Sequence, residues 1–476
     1  MKFVTLHENF CIRKWESTFI LIDSLSGDHF ELDEKQTKVL LACNGTLTKR
    51  ELTKRFNYPG VEEFITNLLR MKVLIETSER RQGPILRSIT SKLPLTDALL
   101  EFTGVCNLEC KHCYNARFNS EFWIKQELPL QEWKKLIDQM DALGIRRIQL
   151  SGGEPFTKEY WDEIVAYAKS KRIFIDAIAS NGTLINDKIA QRLKELMGRY
   201  GAVYISLDGV TAEQHEQLRG PGTFARTLQS IRLLEEHEIN VVINTMMIRP
   251  NKSAMIEFHE FIMNRFSNIK GWRIGCPKIL GRYISSWKEF YVPFSEAVKI
   301  FVDILERYFL DNASYRLEMS DFFRTEVLEY GWEVYSLNDH PCSYAVNNCT
   351  VKPNGDIVFC SSLEGYKGAY LGNIKRKSLK KIWYSNTHMR FQALRIKDLP
   401  QCINCKFVQV CGGGCRSNAW LTYQDIYHPD PRACLSMKTI NEKVVPLIPQ
   451  NLQEEWKNLL LPEGKEPLWD EMGDIL

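Results

Sequence analysis

Between residue 98 and about residue 311 the sequence alternates strand-like and helix-like segments six times, and no other feature narrows the possible folds as far. The strand-like runs are 98–105, 146–151, 174–180, 202–207, 240–248 and 271–276. Trp133, Leu136, Ile137, Met140 and Leu143 form an apolar stripe at helical spacing between two of them, and Phe224, Leu228, Ile231 and Leu234 form another. Repeated strand–helix units imply parallel strands joined by right-handed crossovers. Six units are too few to close an eight-stranded barrel. The expectation is therefore an α/β fold, an open partial (β/α)6 barrel, with its active site at the C-terminal ends of the strands.

At roughly 150 residues per domain, a chain of 476 residues has room for about three. Residues 1–80 read as a small α+β unit of winged-helix pattern. Phe19–Ile22 and His29–Leu32 are strand-like around the turn Ser26-Gly27-Asp28, and Asp33 caps a helix that Asn44-Gly45 ends. Thr48 to Phe56 and Val61 to Met71 read as two further helices, and Val73–Ile75 as a returning strand. Residues 81–97 read as a linker, 98–330 as the partial barrel, 331–440 as a Cys-rich domain with little apolar core of its own, and 441–476 as a surface helix and tail.

Lys plus Arg number 62 and Asp plus Glu 59, a balance that favours neither nucleic acid nor a membrane surface as partner. No apolar run approaches the ~18 residues of a bilayer span, and Met1 to Glu16 lacks a signal-peptide core. The expected location is cytoplasmic. In a reducing compartment fourteen cysteines are metal ligands or catalytic thiols rather than disulfides.

The thiols fall in two groups. Cys106, Cys110 and Cys113 follow the first barrel strand with Cys-x3-Cys-x2-Cys spacing. Three thiolates on one loop can ligate three irons of a four-iron cluster and leave the fourth open; a zinc site completed by His112 is the competing reading of the spacing alone. The second strand then runs into Gly152, Gly153, Glu154 and Pro155. Paired glycines let backbone approach a ligand, Glu154 can accept a hydrogen bond from an amine, and Pro155 fixes the turn. Eight more cysteines, Cys342, Cys349, Cys360, Cys402, Cys405, Cys411, Cys415 and Cys434, suffice for two four-iron clusters or for zinc ribbons. Gly412, Gly413 and Gly414 leave backbone N–H groups free to bond cluster sulfurs. Cys11 and Cys43 fit buried apolar positions, whereas Cys276 ends the sixth strand and can face the active-site cavity.

The three-cysteine loop with Gly-Gly-Glu-Pro resembles the radical S-adenosylmethionine (SAM) superfamily. That resemblance implies a catalytic [4Fe-4S] cluster on Cys106, Cys110 and Cys113, and S-adenosylmethionine bound by Gly152, Gly153, Glu154 and Pro155. It further implies adenine packing by Tyr114, contacts from Ser180, Asn181, Ser206 and Asp208 at the next strand ends, and a carboxylate contact from Arg219. The later cysteines resemble a SPASM domain. By that resemblance Cys342, Cys349, Cys360 and Cys415 hold one auxiliary cluster and Cys402, Cys405, Cys411 and Cys434 another, three clusters in all. Residues 1–80 resemble the PqqD-like recognition element, which takes up a precursor-peptide leader as an added strand.

Together the three parts resemble maturases of sactipeptides and ranthipeptides, which join a Cys sulfur to a carbon. The implied partners are a precursor peptide and a flavodoxin- or ferredoxin-type electron donor, and Cys276 is a candidate hydrogen donor or sulfur ligand. Carbon–carbon or carbon–oxygen cross-linking and epimerisation use the same radical. A sulfatase-maturing enzyme shares the last two domains without the first. A zinc-ribbon winged-helix regulator is the alternative of another class; against it, Lys49, Arg50, Lys54 and Arg55 share their helix with Glu51 and form no concentrated basic face.

Overall fold

The computed structural model describes residues 2–7, 9–15, 18–23, 29–78, 86–89, 95–115, 119–197, 200–342, 344–363 and 365–467. The expected turn at 26–28, most of the expected linker and the last nine residues lie outside them.

The N-terminal unit begins with β1 (Phe3–Leu6), β2 (Phe10–Trp15), β3 (Thr18–Asp23) and β4 (His29–Leu32). Three helices follow: α1 (Glu34–Ala42), α2 (Lys49–Arg55) and α3 (Val61–Arg70). Reciprocal capping boxes start α1 (Asp33 with Gln36) and α2 (Thr48 with Glu51), satisfying amide donors that a helix start leaves bare. β5 (Leu74–Thr77) returns antiparallel to β1. β1 and β2 were not among the strands expected in residues 1–80: β1 is only four residues long, and Arg13 and Lys14 interrupt the apolar run of β2. Leu86–Ile89, inside the expected linker, forms β6 and pairs parallel to β2, giving a sheet ordered β4-β3-β2-β6. Cys11 and Cys43 are buried, Cys43 at the end of α1.

The second sheet opens with β7 (Asp97–Thr103), β8 (Arg147–Gly152), β9 (Phe174–Ser180), β10 (Ala202–Ser206), β11 (Asn240–Met246) and β12 (Ile269–Gly275). Each pairs in parallel with its predecessor, as the six repeats require. A seventh parallel strand, β13 (Arg316–Met319), follows helix Phe294–Leu310. Its sequence, Arg-Leu-Glu-Met, is too short and too charged to announce itself. The helical stripe Trp133, Leu136, Ile137, Met140 and Leu143 is wholly buried against the sheet, and Gly144 ends that helix at φ 98°.

The Cys-rich region extends the same sheet and corrects the expectation of a segment with little core. β14 (Asn348–Val351) lies parallel to β7 on its free side, and β15 (Asp356–Val358) and β16 (Tyr370–Asn373) continue as an antiparallel meander. Ile357, Phe359, Leu379, Ile382 and Trp383 are buried in one apolar cluster with the barrel. The C-terminal segment also packs rather than lying on the surface: Trp456, on helix Gln450–Leu459, is buried against Trp332 and Phe407. Among the described residues no helix is long and apolar enough to cross a membrane.

Candidate active site and cysteine centres

The loop carrying Cys106, Cys110 and Cys113 leaves the C-terminal end of β7 and is pinned from several sides. Asn119 accepts from the Cys106 amide at 2.6 Å and donates back to its carbonyl at 2.7 Å. The Lys111 amide donates to Leu218 O and the Arg282 amide to Cys113 O, both at 3.0 Å. Gly152 and Gly153 serve this loop directly. The Gly153 amide donates to Thr103 O and the Glu154 amide to Val105 O. A Cβ on Gly153 would stand 2.0 Å from Val105 O, so the glycine pair is required by close approach to the strand that launches Cys106.

Glu154 is buried and accepts from Ser180 Oγ at 2.9 Å and from the Asn181 amide at 2.8 Å. Burial pushes its carboxyl up to about 7 against those hydrogen bonds. Pro155 opens a short 3-10 turn behind it. Asn181 Nδ2 reaches Asn107 Oδ1 at 2.9 Å, so the ends of β8 and β9 and the cysteine loop form one assembly.

Ser206 ends β10, and Asp208 follows, fully buried. Its carboxylate accepts from the Met246 amide at 2.7 Å and is gripped by Arg219 Nε. Burial opposes this charge, but Arg219 holds Asp208 below the usual carboxylate range. Arg219 also lies 3.9 Å from Cys110 Sγ and 3.3 Å from His112 Nε2. Burial and the Arg219 charge push His112 down to about 3, so it is neutral there.

Tyr114 is turned toward the Cys-rich region. Its hydroxyl donates to Glu101 Oε1 at 3.2 Å; Lys352 Nζ and Ser361 Oγ meet the same oxygen at 2.7 Å each. Glu101 lies on β7 and Ser361 adjoins Cys360, so one carboxylate ties the first cysteine loop to the second group. Glu101, Lys352 and Ser361 were not legible in the sequence, because nothing local marks residues that far apart in the chain.

The later cysteines separate in space. Cys402, Cys405, Cys411 and Cys434 line one cavity with Gly413 and Asp430. Gly412, Gly413 and Gly414 all take positive φ (62°, 91° and 74°), a run that L side chains resist, and the Gly413 amide faces the Cys411 sulfur. Cys415 lies apart from that cavity. Its amide is capped by Asp430 Oδ2 at 2.8 Å, while its sulfur is 3.5 Å from Lys278 Nζ. Cys360 feels the charges of both Cys415 and Lys278. Cys349 is buried in β14, where the β14–β15 register carries it level with Phe359, beside Cys360. Cys342 is partly buried, its amide donating to His340 Nδ1 at 3.0 Å. Among the described residues no three His, Cys, Asp or Glu side chains converge as ligands of a single metal ion. Groups of thiols alone are the donor chemistry of thiolate-ligated iron–sulfur clusters.

Cys276 follows β12 in an enclosed position, and burial pushes its thiol up to about 12. Arg432 and Asp321 lie near it, paired with each other at 3.2 Å. Lys278, Asp321 and Arg432 join the barrel's strand ends to the Cys-rich region. None of the three was expected from the sequence; only the place of Lys278, two residues beyond Cys276, could have pointed to it.

The Radical SAM superfamily model matches residues 100–262, and the SPASM model, an iron–sulfur cluster-binding domain, matches residues 342–406. The AdoMet-dependent heme synthase of Methanosarcina barkeri is 26% identical over 70% of this chain and 94% of its own. The antilisterial bacteriocin subtilosin biosynthesis protein AlbA of Bacillus subtilis is 27% identical over 73% of each. Among solved structures, Streptococcus suis SuiB bound to precursor peptide SuiA superposes with a TM-score of 0.66 at 18% identity, covering 90% of this chain and 99% of that one.

Proposed function

We propose that this chain, an enzyme with a radical SAM domain and a SPASM domain, modifies a ribosomally made precursor peptide by joining Cys sulfur to carbon as a thioether. The observation that carries the reading is the fusion of a small helix-and-sheet unit, with β4 at the edge of its sheet among the described residues, to the barrel and the thiol-rich region. Such an edge can take a peptide as an added strand, which is the PqqD-like role. The likeness to AlbA, named for bacteriocin biosynthesis, and to SuiB, solved with its precursor peptide, supports a peptide substrate.

In this reading three [4Fe-4S] clusters and S-adenosylmethionine are held by this chain. Cys106, Cys110 and Cys113 hold the first cluster, Cys342, Cys349, Cys360 and Cys415 the second, and Cys402, Cys405, Cys411 and Cys434 the third. The cluster that Cys106, Cys110 and Cys113 would hold, with S-adenosylmethionine bound beside it, would supply the radical chemistry for hydrogen abstraction from the substrate. The protein's own part is placement. Gly152 and Gly153 bring the end of β8 against the cysteine loop. Glu154, Ser180 and Asn181 fix the neighbouring strand ends, with Ser206 and Asp208 further along the rim. Arg219 sets a positive charge beside Cys110, Tyr114 and Glu101 brace the loop from the other side, and Cys276 stands at the strand ends as a thiol near the substrate space. A flavodoxin- or ferredoxin-type protein supplies the electron, in the cytoplasm.

The test is anaerobic co-expression with the short peptide encoded beside it, followed by mass analysis. The expected result is loss of two hydrogens per modification, with the participating Cys blocked to alkylation and Cys106→Ala inactive. The same mass loss with every Cys still alkylatable transfers the assignment to another cross-link. Unchanged mass with no 5′-deoxyadenosine rejects the radical chemistry.

A further inference from the structure

Lys278 occupies a position that the placement of the first cysteine loop does not use. It follows β12 by three residues, after Cys276 and Pro277, and crosses from the barrel to the Cys-rich region. Its Nζ donates to Ser417 Oγ at 2.6 Å and lies 3.5 Å from Cys415 Sγ. Ser417 Oγ in turn sits 3.0 Å from the same sulfur, so a serine and a lysine clasp Cys415 together. Asp321 lies near it, its carboxylate shared between Lys278 and Arg432, the latter at 3.2 Å, and Asp430 accepts from the Cys415 amide. The hydrogen bond to Ser417 fixes the Lys278 ammonium beside the sulfur.

An ammonium held this close to a thiolate ligand favours whichever state of the attached group is more negative. An iron–sulfur cluster becomes more negative by one charge when it accepts an electron, and hydrogen bonds and charge at its sulfurs are levers on its potential. Screening is weak because the contact is enclosed by protein.

We propose that Lys278 is a positioning residue that raises the reduction potential of the auxiliary cluster ligated by Cys415, and so makes that cluster, rather than the one on Cys402, Cys405, Cys411 and Cys434, the acceptor of the electron released when a substrate radical is oxidised. The balance is one electron from the carbon radical to the oxidised cluster; the cationic carbon so formed is captured by the substrate Cys sulfur, making the C–S bond as the thiol proton is lost, and the electron would pass on to the flavodoxin- or ferredoxin-type partner. The inference rests on the assignment of Cys415 to its own cluster, apart from the other four thiols.

The experiment uses the full chain with Cys106, Cys110 and Cys113 changed to Ala, which leaves the auxiliary clusters alone. Iron and sulfide are counted first, and about eight irons per chain are expected from two four-iron clusters. A background with about four irons or fewer refutes the cluster assignment itself, and the inference falls with it. Reduction is then titrated with low-potential viologen dyes and followed by electron paramagnetic resonance. In Lys278→Met one of the two couples moves to lower potential by a factor of about ten in its one-electron equilibrium constant, about 59 mV, and the other stays. Lys278→Arg retains most of the wild-type value. Because Met can weaken loading, Lys278→Gln and Ser417→Ala are titrated beside it, the latter expected to shift the same couple by less. Unaltered potentials in the variants that keep their iron overturn the proposal, as does an equal shift of both couples.

Discussion

Arg219 lies between Asp208, which grips its Nε, and Cys110, whose sulfur is 3.9 Å from its Nη1. Both charged side chains are nearly inaccessible, 8% exposed for Arg219 and 0% for Asp208. A buried pair of this kind is worth most through the penalty of breaking it. Arg219→Met leaves the buried Asp208 charge without its cation, with the Met246 amide still donating to it, and is expected to cost about 3–5 kcal/mol in urea unfolding. Arg219→Lys keeps the charge but loses the two-edged reach to carboxylate and sulfur; it is expected to fold, with 5′-deoxyadenosine formation reduced at least tenfold.

Glu154 gives a pH signature. Its carboxyl is raised to about 7 from an ordinary value near 4.5 because it is buried. The folded state therefore binds this proton more tightly than the unfolded chain. The associated stability is fully present below pH ~4.5 and is lost as pH rises through about 7, by at most about 3 kcal/mol at 1.36 kcal/mol per unit. Urea unfolding of cluster-free protein between pH 5 and 8 is expected to show a steeper decline for wild type than for Glu154→Gln. Parallel declines would assign the slope to other groups.

Gly153 admits no side chain without movement of backbone, since the nearest atoms to an added Cβ are Val105 O, Val105 C and Cys106 N. Gly153→Ala is expected to displace the start of the cysteine loop. Iron counting should show loss of about four irons, one cluster's worth, with the thiol-rich region still loaded. Full iron content in this variant would mean that the loop tolerates the shift.

The pair Asp321–Arg432 joins the loop after β13 to helix Pro431–Thr439, with side chains 18% and 2% exposed. Arg432→Met is expected to destabilise by about 3 kcal/mol, the low end for a broken buried pair, because Asp321 loses its hydrogen-bonded guanidinium but keeps the Lys278 charge and Asn418. The double variant Asp321→Asn/Arg432→Met should recover much of that loss, and the double-mutant cycle measures the coupling directly. Additive effects would show that the two side chains act separately.

The sequence by itself determined the periodic part of this protein. Strand and helix repeats appear wherever burial is one-sided and regular, so six parallel strands and the stripe Trp133–Leu143 were legible, as were the capped helices α1 and α2. The cysteine and glycine motifs were legible for a different reason: metal ligation and close backbone approach demand specific residues at fixed short spacing. β13 carried too few apolar residues to register, and the linker strand β6 exists only as a pairing with β2. Tertiary structure alone decided that β14–β16 complete the barrel's sheet instead of forming a separate unit. It also decided that Cys415 stands with Lys278 and Cys360, away from the four thiols nearest it in sequence, and that Glu101 meets Lys352 and Ser361. These contacts join residues from 55 to 260 positions apart, and pairing across such distances leaves no local pattern: Glu101, Lys278, Lys352 and Ser361 look like ordinary surface residues until the fold removes them from water.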